Sequence, residues 1–173
     1  TRSGEFETLA EVIKDVVLDA TRFFFLMRSS DTHLDFDLEL AKKESADNPV
    51  FYIQYAHARI CSIFRKATEN GIKLLDSADI DLSPLKNEEE FIMIKKILSF
   101  GETIEKSAEL LEVHRIAFYL QDLVGTFHRY YSRNRIVSDD HALSSARLFL
   151  MNCLRITIRN GLSVMGVSAP DRM

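Results

Sequence analysis

From Asn48 to Gly71 the chain carries a helical period long enough to fix the class of fold. Ile53, Ala56, Ile60, Ile63 and Ala67 recur at steps of three and four and make one apolar stripe. Asn48 suits an N-cap, and Pro49 suits the first helical position, where no N–H is missed. Asn70-Gly71 predicts the C-terminal stop. Beside the apolar stripe, Tyr52, Tyr55, Arg59, Ser62 and Lys66 share a second face, with Arg65 close by. Two tyrosines followed by basic groups fit a flat, anionic partner, and single-stranded nucleic acid is such a partner. The alternative is a solvated face whose rings lie under a neighbouring helix, since tyrosine is often half-buried with only its hydroxyl wet. Taken alone, the residues leave those two readings level.

The rest of the chain repeats the helical theme. Six Gly and three Pro are few for a turn-rich sheet protein. Thr8 with Glu11 forms a capping-box pattern for a helix to about Val16. Asp19 to Met27, with Phe23, Phe24 and Phe25, is too apolar for a surface helix and must be buried against a neighbour. Asp35 to Leu40 alternates like a strand, but Leu34, Leu38 and Ala41 also fit a helix turn, and the reading adopted is a turn leading into a helix. Residues 76–87 form the longest loop candidate. Asn87 then caps a helix whose first turn holds Glu88, Glu89 and Glu90, and whose apolar face is Phe91, Ile94, Ile97 and Leu98. Further helices are predicted at about 102–112, 113–132 and 140–160, with a polar loop from Ser132 to Asp140. No Gly-rich phosphate loop and no βαβ pattern occurs. The expected fold is an all-α helical bundle.

Charge narrows the partner surface. The net charge is −4, but it is uneven. Residues 76–112 hold ten acidic and four basic residues, whereas 48–73 and 113–136 each hold four basic residues against one acidic. Electrostatic binding of an anion is therefore expected on the two basic segments. Cys61 and Cys153 both fall in apolar helical patterns, which predicts buried free thiols in a reducing compartment. No signal-peptide pattern and no apolar run of membrane length is present, so a cytoplasmic location is expected. The opening Thr1-Arg2-Ser3-Gly4 reads as a piece of a longer protein.

The residues offer little for bond chemistry. His57 and Cys61 are four apart on one helix, but two metal ligands are too few and no neighbouring Cys or His completes a set. Asp139-Asp140-His141 lies where a helix begins, so Asp140 is better read as a cap. The remaining histidines are scattered, and no catalytic, cofactor or metal site is expected in this chain. Arg129-Tyr130-Tyr131-Ser132-Arg133-Asn134-Arg135 forms a second aromatic and cationic cluster at a helix end, able to stack a base and hold phosphates. Its simpler explanation is cations compensating a helix dipole. Asn152, Arg155 and Arg159 share a face of the last helix, and salt bridges to the acidic segment would account for those arginines.

The run Asn48-Pro49-Val50-Phe51-Tyr52-Ile53-Gln54-Tyr55-Ala56-His57-Ala58-Arg59-Ile60 resembles the helix that opens the anticodon-binding domain of arginyl-tRNA synthetases. The ending Gly166-Val167-Ser168-Ala169-Pro170-Asp171-Arg172-Met173 is similar to that family's C-terminus. The stretch Asp19-Ala20-Thr21-Arg22-Phe23-Phe24-Phe25-Leu26-Met27-Arg28 is similar to the segment after its lysine-bearing ATP signature loop. The resemblance covers the chain in order, loosely over 72–138. It implies a parent class I ligase, acting as a monomer, that joins arginine to tRNA with ATP and Mg. Residues 1–47 would be the helical tail of the catalytic domain, and 48–173 the all-α anticodon-binding domain. The tRNA contacts it implies are Tyr52, Tyr55, Arg59, Arg65, Tyr131 and Met173, with the nucleotide-binding part lying before Thr1. Arg135 stands where some members carry an aromatic residue, so base stacking is not expected there. Without that part, Phe23, Phe24 and Phe25 would form an apolar patch through which the piece self-associates. The reading from another class is a helical protein-interaction bundle without RNA binding, its tyrosines in the core and its arginines paired with the acidic segment.

Overall fold

The computed structural model of the chain describes residues 18–29, 36–72 and 80–173. The expected helix at Thr8 to Val16 lies outside them. In chain order the helices are α1 (Leu18–Leu26), α2 (Leu38–Lys42), α3 (Pro49–Glu69), α4 (Glu88–Leu98), α5 (Phe100–Glu109), α6 (His114–Arg133) and α7 (His141–Val164). No strand occurs among the described residues, so the fold is the all-α bundle that the periodicity predicts. No helix among them is long and apolar enough to cross a membrane.

The helix ends follow the local chemistry. The Asn48 side chain accepts from Val50 N at 3.2 Å, and its amide donates to the carbonyls of Ala41 and Lys43, locking α2 to the start of α3. Asp37 and Asp140 cap α2 and α7 through Leu40 N (2.9 Å) and Leu143 N (3.0 Å). At the end of α3, Gly71 takes φ +75° while Ile72 N bonds Ala67 O and Gly71 N bonds Thr68 O, the double closure that a left-handed residue permits. Gly166, at φ +67°, repeats this after α7 and turns the chain back across the bundle.

α3 is the central element, packed against α1, α6 and α7, while α4 and α5 pack on α6. Its stripe Ile53, Ala56, Ile60, Ile63 and Ala67 is buried as expected, against Leu120, Leu123 and Phe127 of α6 and Met151, Leu154 and Ile158 of α7 in one core. Phe23 and Phe24 of α1 are buried in that core, and only Phe25 faces water, against Phe36 at 5.6 Å. The expected three-phenylalanine patch is therefore reduced to one exposed ring.

Two further expectations are corrected. In α4 the buried residues are Glu90 and Met93, with Ile94 and Ile97 half-buried, whereas Phe91 and Leu98 are exposed. The helix is rotated because Glu90 turns inward. Its carboxylate accepts from Tyr130 OH at 2.6 Å, Arg147 Nε at 2.8 Å and Asn87 N at 3.0 Å. Burial and the adjacent carboxylate push the Tyr130 phenol far above its ordinary range, so it stays protonated and donating. The last helix also runs past the expected end near 160, through Gly161 to Val164. That glycine is buried where α7 crosses α6, and a Cβ there would meet Leu120 Cδ2 at 2.8 Å. Leu120 is itself fully buried and has little room to yield. Gly161→Ala should gain about 0.5–1 kcal/mol of helix propensity and lose about 1–3 kcal/mol to overpacking. A lower urea midpoint at unchanged m-value is the expected result. Cys61 is buried and Cys153 half-buried, and both are free thiols.

Candidate nucleic-acid interface

The second face of α3 opens onto a groove of about 390 Å³ between α3, the end of α6 and the segment after α7. Tyr55, Arg59, Arg65 and Lys66 line it from α3, Tyr131 from α6, and Arg172 and Met173 from the final segment. The Arg59 guanidinium lies 5.1 Å from the centre of the Tyr55 ring and 4.9 Å from that of Tyr131. Two aromatic faces thus hold one cation between them. Behind this pair, Tyr131 leans on Phe127 at 5.6 Å, and Tyr55 is stacked on Phe51 at 6.3 Å and on His128 at 6.0 Å. Among the described residues no carboxylate forms an ion pair with Arg59, Arg65, Lys66 or Arg172. The arginines that do pair with the acidic segment are elsewhere: Arg133 with Glu89 at 3.3 Å, Arg147 with Glu90 at 2.8 Å, and Arg115 with Glu112. Arg155 lies instead over the Phe64 ring and bonds Asn152.

Of the expected contact residues, Tyr55, Arg59, Arg65, Tyr131 and Met173 converge on this groove. Tyr52 lies one turn earlier, with its ring 4.5 Å from that of His128. Burial raises the Tyr52 phenol above its usual range, Arg129 partly opposing. Burial, with the Arg59 charge nearby, lowers the His128 imidazole, which is neutral at pH 7 and serves as a flat platform between Tyr52 and Tyr55. Arg65 is held by the carbonyl of Asp171 at 3.0 Å.

A larger groove, of about 490 Å³, lies between α5 and α6. Its charges are satisfied locally, Lys106 by Glu102 and Arg115 by Glu112, which leaves no unpaired cation there for an anionic ligand. His57, Cys61 and Asp171 bring three potential metal-ligand atoms within 4.8 Å of one another. The three atoms that face one another are already engaged. Pro170 O lies 2.9 Å from His57 Nδ1, and a carbonyl only accepts, so Nδ1 carries its proton and has no lone pair for a metal. Cys61 Sγ donates to Asp171 Oδ1 at 3.3 Å, and burial pushes that thiol up, away from the thiolate a metal needs.

A family model described as the DALR anticodon binding domain matches residues 53–173. The chain belongs to this family. It is 51% identical over 173 residues to the arginine–tRNA ligase of Syntrophotalea carbinolica, covering all of this chain and 31% of that protein. A Campylobacter jejuni crystal structure assigned as an arginyl-tRNA synthetase superposes with a TM-score of 0.85 at 31% identity, over 100% of this chain and 37% of that one. The Thermus thermophilus arginyl-tRNA synthetase gives 0.76 at 29% identity, over 98% and 28%. The chain therefore spans about a third of the length of the relatives it matches. A DALR anticodon-binding domain supports the RNA-recognition reading over the protein-interaction bundle.

Within this DALR domain Arg172, next to Met173, and His128, between Tyr52 and Tyr55, join the site although neither is among the contact residues expected from the sequence. Spacing along α6 could have found the latter: Phe127, His128 and Tyr131 lie on adjoining rows, and the ring at 128 meets α3 only because the two helices pack. No local signal marks Arg172, because only the turn at Gly166 brings it to α3.

Proposed function

We propose that the groove between α3, α6 and the final segment reads the anticodon loop of an arginine-accepting tRNA, as the recognition part of an arginine–tRNA ligase. The observation that carries this is Arg59 held between Tyr55 and Tyr131 beside three further cations, Arg65, Lys66 and Arg172, that no carboxylate among the described residues pairs. Anticodon bases are unstacked in a loop and can be splayed onto aromatic faces. The rings of Tyr55 and Tyr131 offer such faces, Arg59 offers its N–H edge to a base or phosphate, and Arg65, Lys66 and Arg172 neutralise the backbone. Met173, 54% exposed, closes the groove with an adaptable apolar contact. Tyr52 extends the surface by one turn toward the stem.

In this reading residues 1–47 join the module, residues 48–173, to a catalytic domain in the part of the ligase that this chain does not span. That part activates arginine with ATP and Mg and transfers it, as a monomer in the cytoplasm. The present residues recognise and orient the tRNA and make or break no bond themselves.

Tyr131→Ala and Arg59→Ala should each weaken binding of arginine-accepting tRNA by about 5- to 150-fold, the factor equivalent to losing one stacked base. Filter binding measures this, with circular dichroism confirming an unchanged helix content. Affinity should also fall steeply with salt, by a log–log slope of roughly −0.7 per neutralised phosphate. Equal binding of a tRNA with a different anticodon, or unchanged affinity in both variants, removes the proposal.

A further inference from the structure

We propose that Asp19 of α1 is a positioning residue for tRNA recognition: with Gln54 it fixes the segment 166–173 so that Arg172 and Met173 reach the groove. The inference rests on the function proposed above and adds a residue that lies outside both the groove and the matched family segment 53–173.

A third face of α3 carries the argument. Gln54, His57, Cys61 and Arg65 follow at steps of three, four and four, and each bonds the final segment in the same order along the chain. Gln54 Nε2 donates to Ser168 O at 3.0 Å, His57 Nδ1 to Pro170 O at 2.9 Å, Cys61 Sγ to Asp171 Oδ1 at 3.3 Å and Arg65 to Asp171 O at 3.0 Å. The segment therefore lies along α3 as a strap, and its last two residues line the groove. Its upstream half depends on α1. Asp19 Oδ2 accepts from Ser168 N at 3.1 Å, from the Ser168 hydroxyl and from Gln54 Nε2 at 2.9 Å. Arg22, one turn on, donates to Gly166 O at 2.7 Å.

One carboxylate oxygen thus sets Ser168 and aims the Gln54 amide at once, through charge-assisted bonds that are stronger than neutral ones. The strap has few apolar anchors of its own: Val167 is buried, but Ser168, Asp171, Arg172 and Met173 are exposed. Without Asp19 the Ser168 backbone loses its acceptor and Gln54 loses the partner that orients it. The strap would keep its grip at Pro170 and Asp171 but not its register. Arg172 and Met173 would then occupy the groove for a smaller fraction of the time, and the tRNA would have to restore that order on binding.

A double-mutant cycle tests this in the intact chain, with arginine-accepting tRNA at fixed salt. Asp19→Ala should weaken binding about five- to tenfold, less than the roughly 12- to 160-fold equivalent of a whole charged hydrogen bond, because the strap keeps its other bonds to α3. In an Arg172→Ala/Met173→Ala background the same change should cost less than about twofold, because the side chains it positions are gone. Asp19→Asn keeps an oxygen acceptor for Ser168 and should recover part of the loss. An Asp19→Ala affinity within about twofold of the parent overturns the inference, as does an equal loss in both backgrounds, which would mark a general effect on folding. If the Arg172→Ala/Met173→Ala chain itself binds like the parent, the final segment does not contact tRNA, and the functional reading of those two residues falls with the inference.

Discussion

Replacing Arg147 with methionine is expected to cost about 3–5 kcal/mol of folding stability, one of the two largest effects of any single change considered for this chain. Glu90 is fully buried, and Arg147 is its only cationic partner among the described residues, at 2.8 Å with a side chain only 13% exposed. Methionine would fill much of the volume but leave the carboxylate with two neutral donors, Tyr130 OH and Asn87 N. It would also release Arg135 O, which Arg147 holds at 2.8 Å. The loss follows from stranding a charge in the interior, not from the intrinsic worth of an ion pair. Adding Glu90→Gln should therefore restore part of the stability, since the charge leaves with its partner. Urea denaturation of the three variants measures this, and a double variant less stable than Arg147→Met alone would contradict it.

Phe23→Ala should have a comparable effect, about 3–5 kcal/mol, through loss of buried area and the cavity left behind. Phe23 is fully buried in the core shared with α3, α6 and α7. The same change at Phe25, 42% exposed, should cost far less. The contrast matters for function because α1 also carries Asp19 and Arg22. A helix that loosens at position 23 loosens the support of the final segment too, so Phe23→Ala should reduce tRNA affinity along with stability. Urea midpoints followed by far-ultraviolet circular dichroism give the first quantity and filter binding the second. A near-zero stability cost would mean that α1 is not part of the same cooperative unit.

The parts of the fold that were legible in the sequence are those set by local rules. The ends of α3 at Asn48-Pro49 and Gly71, the caps at Asn87 and Asp140, and the apolar stripe of α3 depend on residues within a turn of each other. What escaped depends on contacts across the chain. Glu90 looked like a water-facing member of an acidic first turn, and only Tyr130 and Arg147, far along the sequence, turn it inward. The last helix was expected to end near 160, and only the close approach of Leu120 shows why its interior needs the smallest residue at 161. The tyrosine and arginine face was visible from spacing alone. Its meeting with Tyr131 was suggested by resemblance, and the bonds of Asp19, Gln54 and His57 to the final segment were not anticipated, because nothing local ties position 19 to position 168.

α3 has three occupied flanks: one seals the bundle, one lines the groove and one carries the strap. Such a beam has little mutational slack. Retuning the groove by substitution on α3 must leave two adjoining edges undisturbed, and a change at any of Gln54, Tyr55, Ala56 or His57 touches a different duty at each step. Room for sequence drift is found instead on the outer side of α4, where Phe91, Ile92 and Leu98 stand in water without a structural obligation to the groove.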